Sequence, residues 1–200
     1  MHKTVKNNLK ILLLVLSLIQ AQNIAAEIPY KIQSNEVKLL PSHCGALSAS
    51  HFEPDAYKIF VTRPKTRSIG PHFHHFCHGK KYIIRANNNI GNKKERDYAL
   101  EQAVGEFEYI LRRKNDLSNN YTAITSMEKA RVLKRLNRIS EAMPLYQQAI
   151  KYNPKLSGAY AGLSDIYKTQ GMNEDAREIL ELGLKRIPKS KSLQRRLDKL

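Results

Sequence analysis

Residues 130–154 are ARVLKRLNRISEAMPLYQQAIKYNP, and residues 164–188 are SDIYKTQGMNEDAREILELGLKRIP. The second stretch repeats the residue types of the first after 34 residues, and both copies close on a proline, Pro154 and Pro188. The other matched pairs are Ala130/Ser164, Leu133/Tyr167, Ala142/Ala176, Tyr146/Leu180, Ala149/Gly183 and Ile150/Leu184. A period of about 20–50 residues is typical of proteins built from stacked repeats.

This period and its alternation of small and large residues resemble the tetratricopeptide repeat. The resemblance implies an all-α fold in which antiparallel helix pairs stack as a short solenoid and bind other proteins. The predicted pairs are 123–136 with 141–152, and 157–170 with 174–187. We expect Ser140 and Asn173 to be N-caps, because their side chains can accept a free N–H of the first turn. Asn137 and Gly171 are expected to end the preceding helices.

Two repeats are fewer than the three or so units that such stacks generally need to bury a continuous core. The helices predicted at 71–86 and 95–114 therefore form a candidate degenerate unit, with Leu100, Ala103, Phe107 and Ile110 on one stripe. Leu193, Leu197 and Leu200 share one side of a predicted C-terminal capping helix. The predicted organisation is a signal peptide at 1–26, an N-terminal segment and linker at 27–67, a His/Cys helix pair at 68–120, two repeats at 121–190 and a capping helix at 191–200.

The first 26 residues have the pattern of a secretory signal peptide. Lys3, Lys6 and Lys10 precede an apolar run at 11–19, and small residues follow at 25–26. The run is too short to span a bilayer, which requires about 20 apolar residues. We therefore expect an exported protein, with the periplasm as its compartment.

The protein carries a net charge of +16, and the part after residue 26 still carries +13. On an exported protein, such a basic surface favours contact with acidic proteins, anionic lipid or cell-wall polymer over nucleic acid. A solvated lysine-rich surface without any partner is the alternative interpretation.

Cys44 and Cys77 are the two cysteines of the sequence. An even cysteine count in an exported protein favours one disulfide. Metal binding is the alternative, because His74 and His78 are one helical turn apart and Cys77 and Cys44 could complete a tetrahedral site. Free thiols are the third possibility.

A broader resemblance rests on three pieces of the sequence: 41–44 (Pro-x-x-Cys), 74–79 (His-His-x-Cys-x-Gly) and 193–197 (Leu-x-x-Arg-Leu). Together with the repeats, they resemble uncharacterised exported tetratricopeptide proteins of proteobacteria. This resemblance implies no known activity.

Partner binding in repeat folds usually uses the concave face, which the first helix of each pair lines. By register, this face carries apolar and charged residues: Ile124, Met127, Arg131, Lys134, Gly158, Ala161, Asp165 and Lys168. They lack the arrangement of Lys and Asn with which carboxylate-clamp repeat proteins hold the C-terminus of a partner. We expect a protein or peptide partner that binds as an extended segment or a helix.

Enzyme signatures such as Gly-x-Ser-x-Gly, a phosphate-binding loop and His-Glu-x-x-His are missing from the sequence. The expected function is therefore a non-catalytic protein-interaction module or assembly scaffold without a cofactor. Two alternatives stay open: a metal-binding protein that uses the His/Cys cluster, and a basic accessory factor that docks on an anionic polymer or membrane of the cell envelope.

Overall fold

The computed structural model describes residues 31–60, 70–113, 115 and 117–200. The predicted signal peptide and residues 61–67 of the predicted linker lie outside the described residues. None of the helices in the described ranges combines the length and the hydropathy that crossing a bilayer requires.

Helices form all the regular structure of the described residues, apart from a single parallel bridge between Ile32 and Phe52. The N-terminal segment contains α1 (Ser34–Val37), α2 (Pro54–Phe60) and two 3₁₀ turns (Ser42–Ala46 and Ala49–His51). The helical body contains α3 (Phe73–Asn88), α4 (Lys93–Leu111), α5 (Asn119–Arg135), α6 (Ile139–Tyr152), α7 (Ser157–Thr169), α8 (Asn173–Arg186) and α9 (Lys191–Leu197). Each helix of the body packs against the next one in the sequence. The predicted all-α stack of helix pairs with a C-terminal capping helix is confirmed.

The turns inside the two repeats follow one design. Asn137 and Gly171 have left-handed φ values of 61° and 76°, so both predicted helix ends are confirmed. The next residues, Arg138 and Met172, donate their N–H groups back to the carbonyls of Leu133 and Tyr167, both at 2.9 Å.

The predicted N-caps Ser140 and Asn173 are wrong. Because the turn closes tightly, the second helices already begin at Ile139 and Asn173, and their N-cap residues are Arg138 and Met172.

Residues of the repeat register fill the core of the body. Ala142, Tyr146, Ala149, Ala176 and Leu180 are all inaccessible to solvent. The predicted stripe of α4 is buried as well, through Leu100, Ala103, Phe107 and Ile110. Gly79 brings α3 close to α4, since a Cβ at that position would lie 2.7 Å from the ring of Phe107. Small residues thus set the approach of the helices and large ones fill the gaps.

The N-terminal segment has an apolar cluster of its own, which rests on α3 through Cys77 and Ile84. Phe52 and Ala56, from the part predicted as linker, are buried in it. The segment is therefore packed onto the helical body over the described residues 31–60.

Candidate functional site

The first helices of the stack, α3, α5, α7 and α9, present a common surface that we call the first-helix face. Close packing of α5 on α7 shapes its middle: a Cβ at Gly158 would lie 2.6 Å from Arg131 Nη2 and 2.8 Å from Met127 Sδ. Met127 and Ala161 are buried there and Ile124 is half-buried. The apolar residues predicted for a binding groove are therefore largely covered by packing, and the charged residues remain at the surface.

Each carboxylate on this face contacts two cations. Glu128 on α5 lies 3.0 Å from Lys80 on α3 and 3.0 Å from Arg131 on its own helix. Asp165 on α7 lies 3.3 Å from Lys134 and 3.2 Å from Arg196 on α9. These contacts bring the predicted residues Arg131, Lys134 and Asp165 onto one surface that crosses four helices.

A cavity of about 380 Å³ opens between α7 and α9. It is lined by Ser164, Asp165, Lys168, Arg195, Arg196, Lys199 and Leu200. Lys168 Nζ donates to the backbone carbonyl of Lys199 at 2.8 Å. Among the described residues, no carboxylate side chain forms an ion pair with Lys168, Arg195 or Lys199.

Arg195, Arg196 and Lys199 were not predicted as site residues, although the register could have found them. One period after Asp165 is Lys199, and one period after Ala161 is Arg195. Extending the 34-residue period into the capping helix therefore continues the first-helix face by one more helix.

The predicted disulfide is present in the structure. Cys44 in the first 3₁₀ turn is bonded to Cys77 on α3, with a Cα–Cα distance of 5.7 Å, and both residues are buried. The neighbouring His43 packs its ring against Phe76, with 5.2 Å between the ring centroids. Burial, and secondly the positive charge of Lys80, lower the pKa of His43, so its imidazole is neutral at pH 7.

A buried row of nitrogens lies next to the disulfide. Lys81 Nζ is 3.0 Å from His78 Nδ1, and His78 Nε2 is 3.1 Å from His51 Nδ1. Burial is the main cause that lowers the pKa of Lys81 to about 7 and that of His78 to about 2. His51 carried no sequence signal, because it belongs to the part predicted as linker.

The alternative metal site of His74, His78, Cys77 and Cys44 is not assembled in the structure. Both sulfurs are bonded to each other, so neither is available as a thiolate ligand. His78 directs its nitrogens at Lys81 and His51. The ring of His74 lies against those of His51 and His75.

A buried ion pair joins the N-terminal segment to α3. Arg85 donates to Glu36 from both Nε and Nη2, the second bond at 3.0 Å, and to the carbonyl of Lys31 at 3.0 Å. The N–H of Gln33 donates to the same carboxylate at 2.8 Å. This pairing compensates the charge of Glu36, which is fully buried.

An imidazole–carboxylate contact joins α3 to α4. His75 Nδ1 lies 2.6 Å from Glu106, and the His75 ring stacks on Tyr109 at 3.7 Å. Burial raises the pKa of Glu106 to about 7 and lowers that of His75. Both shifts favour a neutral pair that shares one proton.

The family model of the tetratricopeptide repeat matches residues 133–197. The match begins near the end of α5 and covers α6–α9, which includes five of the seven cavity-lining residues: Ser164, Asp165, Lys168, Arg195 and Arg196. Residues 31–132, with the disulfide and the histidines, lie outside it. No curated protein matches the sequence.

Proposed function

We propose that the protein is an exported, non-catalytic interaction module whose first-helix face binds an acidic, extended segment of a partner protein. Tetratricopeptide repeats as a class bind other proteins, and the family match covers the part of the stack that holds the cavity. The chemistry of the partner follows from the charges on the face.

The distribution of ion pairs is the observation that carries this proposal. Over the described residues, the face carries seven cationic side chains and two carboxylate side chains: Lys80, Arg131, Lys134, Lys168, Arg195, Arg196 and Lys199 against Glu128 and Asp165. Both carboxylates are already paired twice, so they do not neutralise Lys168, Arg195 and Lys199. A partner with spaced Asp or Glu residues provides the missing negative charge and gains association rate from the field of the face.

Export to an oxidising compartment is the second part of the proposal. The basic start and the apolar run at 11–19 support it, and so does the buried Cys44–Cys77 disulfide, since structural disulfides persist mainly outside the reducing cytosol. Finding the full-length protein with an intact N-terminus in the cytosol would contradict this part.

Binding of fluorescent peptides to the purified protein tests the partner chemistry. An acidic peptide and its Glu→Gln counterpart of equal length are compared at low and moderate salt. We expect the acidic peptide to bind, the neutral one to bind at least about tenfold more weakly, and salt to weaken the acidic complex.

Two pairs of charge reversals locate the site. Lys168→Glu with Arg195→Glu removes cations of the cavity, and Lys151→Glu with Lys185→Glu changes the net charge equally on the second helices α6 and α8. We expect a loss of about tenfold or more in affinity for the first pair only. Equal losses of affinity for both pairs would show that net charge alone attracts the peptide.

Preference for an anionic polymer or vesicle over the peptide would favour docking on the cell envelope.

A further inference from the structure

The imidazole of His43 lies beside the disulfide and is a potential metal ligand, as the two cysteine sulfurs are. One ligand atom each from His43, Cys44 and Cys77 lie within 4.8 Å of one another. His43 precedes Cys44 in the 3₁₀ turn, and its ring packs on Phe76, which precedes Cys77 on α3. Two different elements therefore bring two sulfurs and one imidazole to the same place.

The same histidine carries an unsatisfied polar atom. His43 Nε2 is inaccessible to solvent and has no hydrogen-bond partner among the described residues. Native proteins seldom leave a buried nitrogen without a partner, because the hydrogen bonds it made to water in the unfolded state are then not replaced. A metal ion is a partner that an imidazole nitrogen can take in a site of this composition.

The dimensions and charges suit a soft divalent cation once the sulfurs are reduced. A tetrahedral zinc ion with Zn–S of about 2.3 Å and Zn–N of about 2.0–2.1 Å holds its ligand atoms about 3.5–3.8 Å apart. After reduction the two sulfurs must separate from their bonded distance to about 3.8 Å, and the imidazole nitrogen, which lies within 4.8 Å of both, must move closer to them. Zn²⁺ with two thiolates and a neutral imidazole has no net charge, so the buried position carries no uncompensated charge.

We propose that Cys44, Cys77 and His43 form a Zn²⁺ site when the disulfide is reduced, with a water molecule or another small ligand in the fourth position. A dithiol reductant transfers two electrons and two protons to the disulfide, the S–S bond breaks, and the reductant forms a disulfide of its own. Zn²⁺ then displaces the two thiol protons. Both the disulfide and the zinc ion hold the 3₁₀ turn against α3, so the N-terminal segment stays attached in either state.

Titration of the full-length protein with Co²⁺ in place of Zn²⁺ tests the site. Charge-transfer absorption from thiolate to Co²⁺ appears only when a cysteine binds the ion. Co²⁺ that is bound only by the histidines at 72–78 therefore does not contribute to this signal. We expect one Co²⁺ per reduced molecule with this absorption, its displacement by Zn²⁺, and slower alkylation of both cysteines in the presence of Zn²⁺. The oxidised protein should show none of these signals.

Variants separate His43 from the other histidines. His43→Ala and the more conservative His43→Gln should each weaken metal binding by at least about tenfold, since even outer-shell changes cost that much. His74→Ala is the matched control and should bind as the wild type does. Unchanged affinity in both His43 variants would overturn the proposal. The proposal would also be overturned if the reduced protein bound no metal. The same holds if the reduced protein lost its helical circular dichroism and did not recover it when Zn²⁺ was added.

Discussion

The repeat stack, α5–α9, and the N-terminal region, formed by residues 31–60 together with α3, are held together by different interactions. In the stack, interior positions are mostly small and large apolar residues of neighbouring helices. The N-terminal region buries Glu36, His78, Lys81 and Arg85 beside a disulfide. Among the described residues, Lys81 is the only buried lysine and Arg85 is the only buried arginine.

The two regions also differ in how regular the sequence distances between contacting residues are. In the stack, Asp165 contacts Lys134 and Arg196, each 31 positions away, and Lys168 contacts Lys199 over the same distance. In the N-terminal region, contacts join residues 49, 33 and 27 positions apart: Glu36 with Arg85, Cys44 with Cys77, and His51 with His78. The chain-entropy model assigns about 3–4 kcal/mol to a disulfide that closes a loop of this length. A disulfide and buried charge pairs thus stabilise this region, whereas regular packing of apolar side chains stabilises the repeats.

The largest expected effect comes from the buried ion pair. Glu36→Gln removes the carboxylate that pairs with the buried Arg85, and breaking such a pair costs about 3–5 kcal/mol. The matched change in the same segment, Asp55→Asn, breaks the exposed pair with Lys58 and should cost less than about 0.5 kcal/mol. Free energies of unfolding from urea titrations test the difference, and hydrogen exchange should show it in residues 31–60. Similar costs for the two variants would remove the distinction between the regions.

Packing in the stack should respond to a single methyl group. A Cβ at Gly162 would overlap the ring of Tyr146, so Gly162→Ala should destabilise the protein by about 1–3 kcal/mol. Nothing lies within 4 Å of a Cβ at Gly105 in α4, where Gly105→Ala should instead stabilise by up to about 1 kcal/mol through helix propensity. Midpoints of urea unfolding at an unchanged m-value give both numbers. A neutral Gly162→Ala would show that the ring of Tyr146 moves aside at no cost.

The smallest expected effect is a pH dependence specific to the N-terminal region. Because the pKa of Lys81 falls from 10.5 in the unfolded state to about 7, the unfolded state binds more protons between these values. Stability should therefore rise with pH above 7, by about 1 kcal/mol between pH 7 and pH 8. The protonated Glu106, whose pKa is raised to about 7, opposes part of this rise, so Glu106→Gln should steepen it.

Urea titrations at several pH values compare the wild type with Lys81→Met and with the exposed control Lys151→Met. Lys81→Met should lose the rise and Lys151→Met should keep it. An unchanged pH profile in Lys81→Met would place the amine in a solvated environment.

Much of the repeat stack follows from the sequence, because its contacts are local and periodic. The 34-residue register alone identified the buried residues Ala142, Tyr146 and Leu180, and the left-handed positions Asn137 and Gly171 marked the helix ends. The N-cap prediction at Ser140 failed because the backbone of the preceding turn already closes the first turn of α6. Arg195 and Lys199 were not predicted, although the same period, continued past the second repeat, places them on the first-helix face.

The tertiary structure decided the rest, because long-range partners leave no periodic trace in a sequence. Two cysteines predicted a disulfide, yet only folding shows that His43 shares their surroundings and that His78 contacts His51 and Lys81. The partners of Glu36 and Lys80 are likewise visible only in three dimensions. The sequence determined the all-α repeat stack through local packing. The fold alone determined which charges are paired, which are buried, and which remain on the first-helix face for a partner.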